Sequence, residues 1–260
     1  MLPAPRPDGP SLAGVLESCL ASITGEADRL GLGSSRRAIV LLVDGLGADL
    51  LRERAGHART LAGALGSRSV MEAGFPTTTA TALASLTTGT LAGAHGLVGY
   101  SVLDPAHDRV VNQLSGWDDR LDPATWQRRP TLFERASAAG FGATVVGPER
   151  YRDSGFTAAV LRGARYVAAA SIADRLRRAG ELAAEAGPPG LIYVYIPELD
   201  MAAHAHGAAS TAWTVALEAV DAAVRDLVAV LGRDTGLLVT ADHGIVDVPA
   251  HGHVLIDGAP

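Results

Sequence analysis

Asp44, Asp200 and Asp242 each lie at or just beyond the end of an apolar run of strand length. If those runs are parallel strands of one sheet, the three carboxylates meet at its carboxyl edge, where open α/β sheets bind ligands. Like charges gathered at one place need compensation, and a divalent cation is the simplest one, so the pattern predicts a metal site. His204 follows Asp200 by four residues, a spacing that puts both on one face of a helix, and His243 adjoins Asp242. Imidazole and carboxylate donors without thiolate suit zinc, with manganese or iron as other occupants. A nucleophile is offered by Phe75-Pro76-Thr77-Thr78-Thr79-Ala80-Thr81-Ala82, a hydroxyl-rich run opening a helical stretch that ends near Thr88-Gly89. A threonine hydroxyl needs activation before it attacks; a bound metal and the amides of a helix N-terminus both favour its anion. Spacing alone leaves Thr77, Thr78 and Thr79 open, and any of them could instead cap the helix.

The elements that must position these groups follow from periodicity. Continuous apolar runs at 38–43, 191–196 and 236–240, with a fourth at 143–146, read as strands buried on both faces. Helical spacing is expected over 11–29 behind a Ser11 cap and before Gly31-Leu32-Gly33, and again near 46–54, 79–88, 131–139, 171–186 and 211–231. This alternation predicts an α/β fold, a mostly parallel central sheet flanked by helices in one domain spanning 1–260. Residues 95–130, rich in Gly, Asp, Pro and Trp, break the rhythm and read as an irregular excursion near the site.

Composition removes whole classes of function. The chain has no Lys, all 22 basic residues being Arg. A P-loop and a pyridoxal or Schiff-base enzyme both need that amine. Against 28 acidic residues the net charge is −6, and no basic cluster exceeds Arg36-Arg37 or Arg177-Arg178, which argues against nucleic acid as a partner. The single Cys19 leaves no disulfide framework and suits a reducing cytoplasm. Residues 1–10 hold four prolines and no apolar signal-peptide core, and no apolar run is long enough to span a membrane. A soluble, cytoplasmic protein acting on a small molecule is therefore expected. Gly45-Leu46-Gly47 after a strand fails as a dinucleotide fingerprint, because its third glycine would fall on Leu50, and no G-x-S-x-G elbow exists. Asp247 and His206 read as capping or solvated residues, and Trp117, Trp126 and Trp213 as packing.

Taken in order, the motifs resemble the type I phosphodiesterases and nucleotide pyrophosphatases of the alkaline phosphatase superfamily. The family's strand ending in Asp-Gly is similar to Val43-Asp44-Gly45, and its Pro-x-x-Thr nucleophile motif falls on Pro76 and Thr79. Thr88-Gly89 with His95-Gly96, then Asp200, His204 and Gly207, then Asp242, His243 and Gly244, continue the pattern. The resemblance implies an alkaline phosphatase-like fold with two divalent ions, zinc being expected. Asp44, Thr79, Asp242 and His243 would hold one ion; Asp200, His204 and a further histidine would hold the other. It also implies hydrolysis of phosphoric diester or pyrophosphate bonds through a phospho-threonine on Thr79. Two departures stand out. The family's phosphate-contacting Asn would fall near Gly99-Tyr100, yet the one asparagine is Asn112. The family's last histidine lies on a strand well downstream, whereas this chain ends 18 residues after Asp242, leaving His206, His251 and His253 as substitutes. A truncated domain that keeps the fold and one metal but turns over weakly is the alternative expectation.

Overall fold

The computed structural model describes residues 10–66 and 69–253. The proline-rich stretch read at the start of the chain lies, apart from Pro10, outside the described residues. Seven strands are present among them: β1 (Arg37–Val43), β2 (Ser101–Asp104), β3 (Arg109–Asn112), β4 (Gly142–Gly147), β5 (Arg165–Ala168), β6 (Gly190–Ile196) and β7 (Thr235–Thr240). Five of these form one sheet in the order β5-β4-β6-β1-β7, every neighbour parallel. The mostly parallel α/β architecture expected from the apolar runs is the one observed.

All seven residues of β1 are buried, which a continuous apolar run permits and an alternating one would not. Its side chains divide by parity. Ala38, Val40 and Leu42 pack with the helices Ala13–Thr24, Thr79–Thr88 and Leu132–Ala138, while Ile39, Leu41 and Val43 pack with Ile172–Ala184 and Thr211–Val230. Each such side chain taken from water contributes roughly 1.5–3 kcal/mol, so the central strand is anchored from both layers. In register, Val43 lies opposite Ile196 and Leu42 opposite Thr240. The chain therefore leaves β6, β1 and β7 at one level, and the residues that follow share one edge.

Two local readings need correction. Ser11 caps nothing: the first helix starts at Ala13, and Ser11 forms a lone parallel bridge with Glu72. That helix also ends early, at Gly25, whose left-handed φ of 77° stops it before the Gly31 signal is reached. The 95–130 excursion contains the antiparallel β2–β3 hairpin and a short helix, Pro123–Trp126. It is tied to the Thr79–Thr88 helix where the Gly99 amide donates to Thr81 Oγ1 at 2.7 Å.

His95, at the start of this excursion, is fully buried. Its Nδ1 accepts the Leu97 amide (3.1 Å) and its Nε2 meets Ser85 Oγ (3.0 Å), so the ring sits neutral, and burial pulls its pKa down from 6.5 to about 4. The unfolded chain thus takes up a proton below 6.5 that the folded chain refuses until about 4, and stability falls as the pH drops through that window. Between about pH 7 and about pH 5 the loss should be about 2 kcal/mol. Urea unfolding of wild type and His95→Gln at the two pH values isolates it, because buried carboxyls with raised pKa values, which act in the opposite direction, are common to both. The variant should lose about 2 kcal/mol less than wild type on acidification, and an equal change in both would remove His95 as a cause.

Candidate active site

The edge formed by β6, β1 and β7 collects the acids. Asp44 follows β1 directly, and Asp242 lies two residues beyond β7. Asp200 sits in the first turn of the helix Glu198–His206, which β6 enters through Pro197. Asp44 and Asp242 are almost completely buried. Each of these two has one oxygen held and one free. Asp44 Oδ2 accepts the Tyr195 hydroxyl at 2.5 Å, and Asp242 Oδ1 accepts the amides of Gly45 (3.1 Å) and His243 (3.0 Å). Asp44 Oδ1, Asp242 Oδ2 and Asp200 Oδ1 are buried without a hydrogen-bond partner.

Burial, reinforced by the charges of Asp242 and Asp200, raises the Asp44 carboxyl well above the usual carboxylate range. Burial also pushes Asp242 up to about 6. The Tyr195 phenol is raised by burial and by Asp44, so it stays protonated and donates.

His243 Nε2 stands among these oxygens, 3.2 Å from Thr79 Oγ1, 3.3 Å from Asp242 Oδ2 and 3.5 Å from Asp44 Oδ1. Donor atoms on a tetrahedral zinc with bonds of about 2.0 Å lie roughly 3.3 Å apart, so this spacing is that of a ligand shell. Nδ1 lies 3.2 Å from the Gly244 carbonyl and can donate to it, which leaves the Nε2 lone pair free. Asp44, Asp200 and His243 offer ligand atoms within 4.8 Å of one another. Buried oxygens without partners cost free energy unless something positive meets them. The donors therefore fit a divalent cation.

Thr79 and Thr78 separate by role. Thr78 is the N-cap of the helix Thr79–Thr88, in extended conformation with its side chain accepting from the Thr81 amide, while Thr79 turns its hydroxyl to His243. Thr79 is thus the threonine of the run that meets the acids and imidazole. His204 lies 3.4 Å from Asp200 Oδ1, but its side chain is 80% exposed and stands outside the Asp44–Asp200–His243 group. His206, His251 and His253 are exposed. His253 contacts the Val248 carbonyl, and Asn112 accepts the amides of Leu114 and Ser115 as a turn cap. Asp247 accepts the amides of Ala208 and Ala209, joining the segment after Asp242 to the end of the Glu198–His206 helix.

The glycines that fail as a nucleotide fingerprint have another use. Gly45 has φ 75°, and a Cβ on Gly47 would come within 2.7 Å of the Gly244 backbone. The loop after β1 can therefore lie directly on the loop bearing His243.

Sequence reasoning missed the cavity beside these groups. About 140 Å³ in volume, it touches Asp44, Thr79 and Asp200 and is walled by Tyr151, Phe156, Val160 and Tyr195. Most of that wall comes from the segment after β4, whose two acids, Glu149 and Asp153, are not among the residues lining it, so no chemical motif points to it. Tyr195 gave one usable signal, its place two residues before Pro197 on a strand already assigned to the site edge.

No curated protein matches the sequence. Among solved structures, the chain resembles murine ectonucleotide pyrophosphatase/phosphodiesterase 5, in an inactive form in complex with AMP. The TM-score is 0.62 at 21% identity over 82% of this chain and 58% of that one. Phosphonoacetate hydrolase from Sinorhizobium meliloti 1021, in complex with phosphonoacetate, gives 0.59 at 17%, over 81% and 57%. Human ectonucleotide pyrophosphatase/phosphodiesterase 5 gives 0.57 at 19%, over 80% and 56%. The chain thus spans less than two thirds of the length of these structures, and the likeness establishes an alkaline phosphatase-like fold. The sequence itself supplies the rest: a profile described as type I phosphodiesterase / nucleotide pyrophosphatase matches residues 38–258, from the first buried strand past the Asp242-His243 pair, and the chain belongs to that family.

Proposed function

We propose that this chain is a divalent-metal-dependent hydrolase of phosphoric diester or pyrophosphate bonds that works through a phospho-threonine on Thr79. The observation carrying the reading is the convergence of Thr79, Asp44 and Asp242 on His243 Nε2, with three buried carboxylate oxygens left unpartnered around it. Asp44, Thr79, Asp242 and His243 would hold one ion, and Asp200 with His204 a second. When bound, zinc or a similar cation supplies Lewis acidity that favours the Thr79 alkoxide and neutralises charge on the phosphoryl oxygens. Thr79 Oγ1 forms a bond to phosphorus as the bond to the leaving oxygen breaks; water then cleaves the phospho-threonine. First-turn amides of the Thr79–Thr88 helix favour the anionic phosphoryl group. Tyr195 and the two amides on Asp242 fix the carboxylates so that their free oxygens face the reacting centre.

No arginine is among the residues lining the adjoining cavity, and its walls are aromatic and aliphatic. An uncharged group, flat or apolar, is the better fit for the part of the substrate beyond phosphorus, and a nucleoside satisfies that description. The murine relative's AMP complex supports this choice. A cytoplasmic location rests on the lone Cys19, a buried thiol whose pKa burial pushes up to about 12.

Hydrolysis of bis(p-nitrophenyl) phosphate and of p-nitrophenyl phosphate, each with added zinc or manganese, tests the activity. The diester should be the faster substrate by about tenfold or more, and no nitrophenol release with any divalent metal would refute the reading. The exposure of His204 favours a second reading, in which the Asp200 position is incomplete and turnover is weak. Elemental analysis should then find about one tightly held metal per chain, because the second position lacks an inner-shell imidazole. Two tightly held ions would refute that version.

A further inference from the structure

Across the sheet from the cavity, an ion pair between a buried arginine and a half-buried glutamate, neither with an assigned role, joins two helices. Arg175, on the helix Ile172–Ala184, is fully buried; its guanidinium donates to the carbonyls of Ala170 (3.1 Å) and Ala169 (3.5 Å) and to Glu198 Oε1. Glu198 is the first residue of the helix that bears Asp200. That helix begins without a side-chain cap, Pro197 at the cap position having no such bond to give. Leu199 in the core and Glu198 on Arg175 instead hold the start of its first turn.

Glu198 and Asp200 are two residues apart, about 200° around a helix, and so project from opposite sides. A restraint on the rear of the turn sets the direction of its front. From this geometry we infer that Arg175 and Glu198 are positioning residues for Asp200: they clamp the first turn to the segment after β5 and thereby hold the Asp200 carboxylate beside Asp44 and His243. Buried pairs of this kind add little net stability compared with apolar replacements, and fixing one arrangement is their better-attested use. The inference rests on the metal reading of the site, and the experiment separates the two.

Zinc affinity of the demetallated full chain is measured by competition with a chromogenic chelator, in parallel with urea unfolding. Glu198→Gln and Arg175→Met should each weaken zinc about tenfold or more, the usual effect of losing a group that orients a ligand. Arg175→Lys, which can still reach Glu198, should recover part of the loss. Glu198 is 31% exposed and its amide is isosteric, so Glu198→Gln decides the matter if Arg175→Met does not fold. A fall in the urea midpoint with zinc affinity unchanged in Glu198→Gln, while Asp200→Asn weakens zinc, would overturn the inference and leave the metal site standing. Asp200→Asn with unchanged affinity would overturn the inference, and the metal reading would fall with it only if Asp44→Asn and His243→Ala also left zinc binding unchanged.

Discussion

Thr79→Ala should lower kcat for a nitrophenyl diester by about four orders of magnitude or more, the scale seen when an attacking side chain is removed. Its fold should survive, because the residue that caps the helix is Thr78, whose side chain serves the Thr81 amide. The two neighbouring threonines thus make opposite predictions. Thr78→Ala removes the cap and should cost about 1 kcal/mol in urea unfolding, with kcat largely kept. Single-turnover measurements on both variants test the division. If Thr78→Ala lost the turnover and Thr79→Ala kept it, the nucleophile would have to be reassigned, and the 3.2 Å contact between Thr79 and His243 would be structural only.

The second large effect concerns charge. Exhaustive chelation should abolish hydrolysis and lower the unfolding temperature, since a ligand at about 1,000 times its Kd contributes about 4 kcal/mol to the folded state. Asp44→Asn should then behave differently with and without metal. In chelator, the wild-type chain keeps Asp44, Asp242 and Asp200 close together, and burial with mutual repulsion raises Asp44 strongly. The amide removes one charge while its oxygen can still accept the Tyr195 hydroxyl. Asp44→Asn should therefore unfold about 2–4 °C above wild type without metal, from about 1 kcal/mol of relieved repulsion, and below it when zinc is present. Thermal scans of both proteins with and without zinc read this directly. A variant less stable than wild type in chelator would mean that Asp44 contributes to the fold through something other than a cation.

Much of this was legible in the chain. The central strands announced themselves because burial on both faces demands unbroken apolar runs, and the acids stood out because they ended those runs. The rest was hidden for physical reasons. The strand Arg165–Ala168 is four residues at the sheet edge and half exposed, so it has no run to show. The β2–β3 hairpin presents Leu103 and Val110 to solvent and buries Asp104, an inversion of the usual pattern sustained by Arg109 and His107 on the aspartate. Tyr195 stands on a strand assigned to the site edge, but beyond that place nothing local distinguishes a phenol that meets a carboxylate from one that packs. Arg175, two residues before Arg177 on an expected helix, carries no mark of its burial in the sequence, and its carboxylate partner Glu198 is 23 residues away.

The three acids leave adjacent strands at one level, Val43 beside Ile196 and Leu42 beside Thr240. Neighbouring strands are about 4.8 Å apart because backbone hydrogen bonds hold them there, whatever the side chains are. The sheet therefore acts as a ruler for the donors. Apolar substitutions in the flanking helices should alter how firmly the ruler is supported while leaving its divisions unchanged, so drift in the two outer layers can proceed far, Arg175 excepted, before the gap between the acids ceases to match an ion.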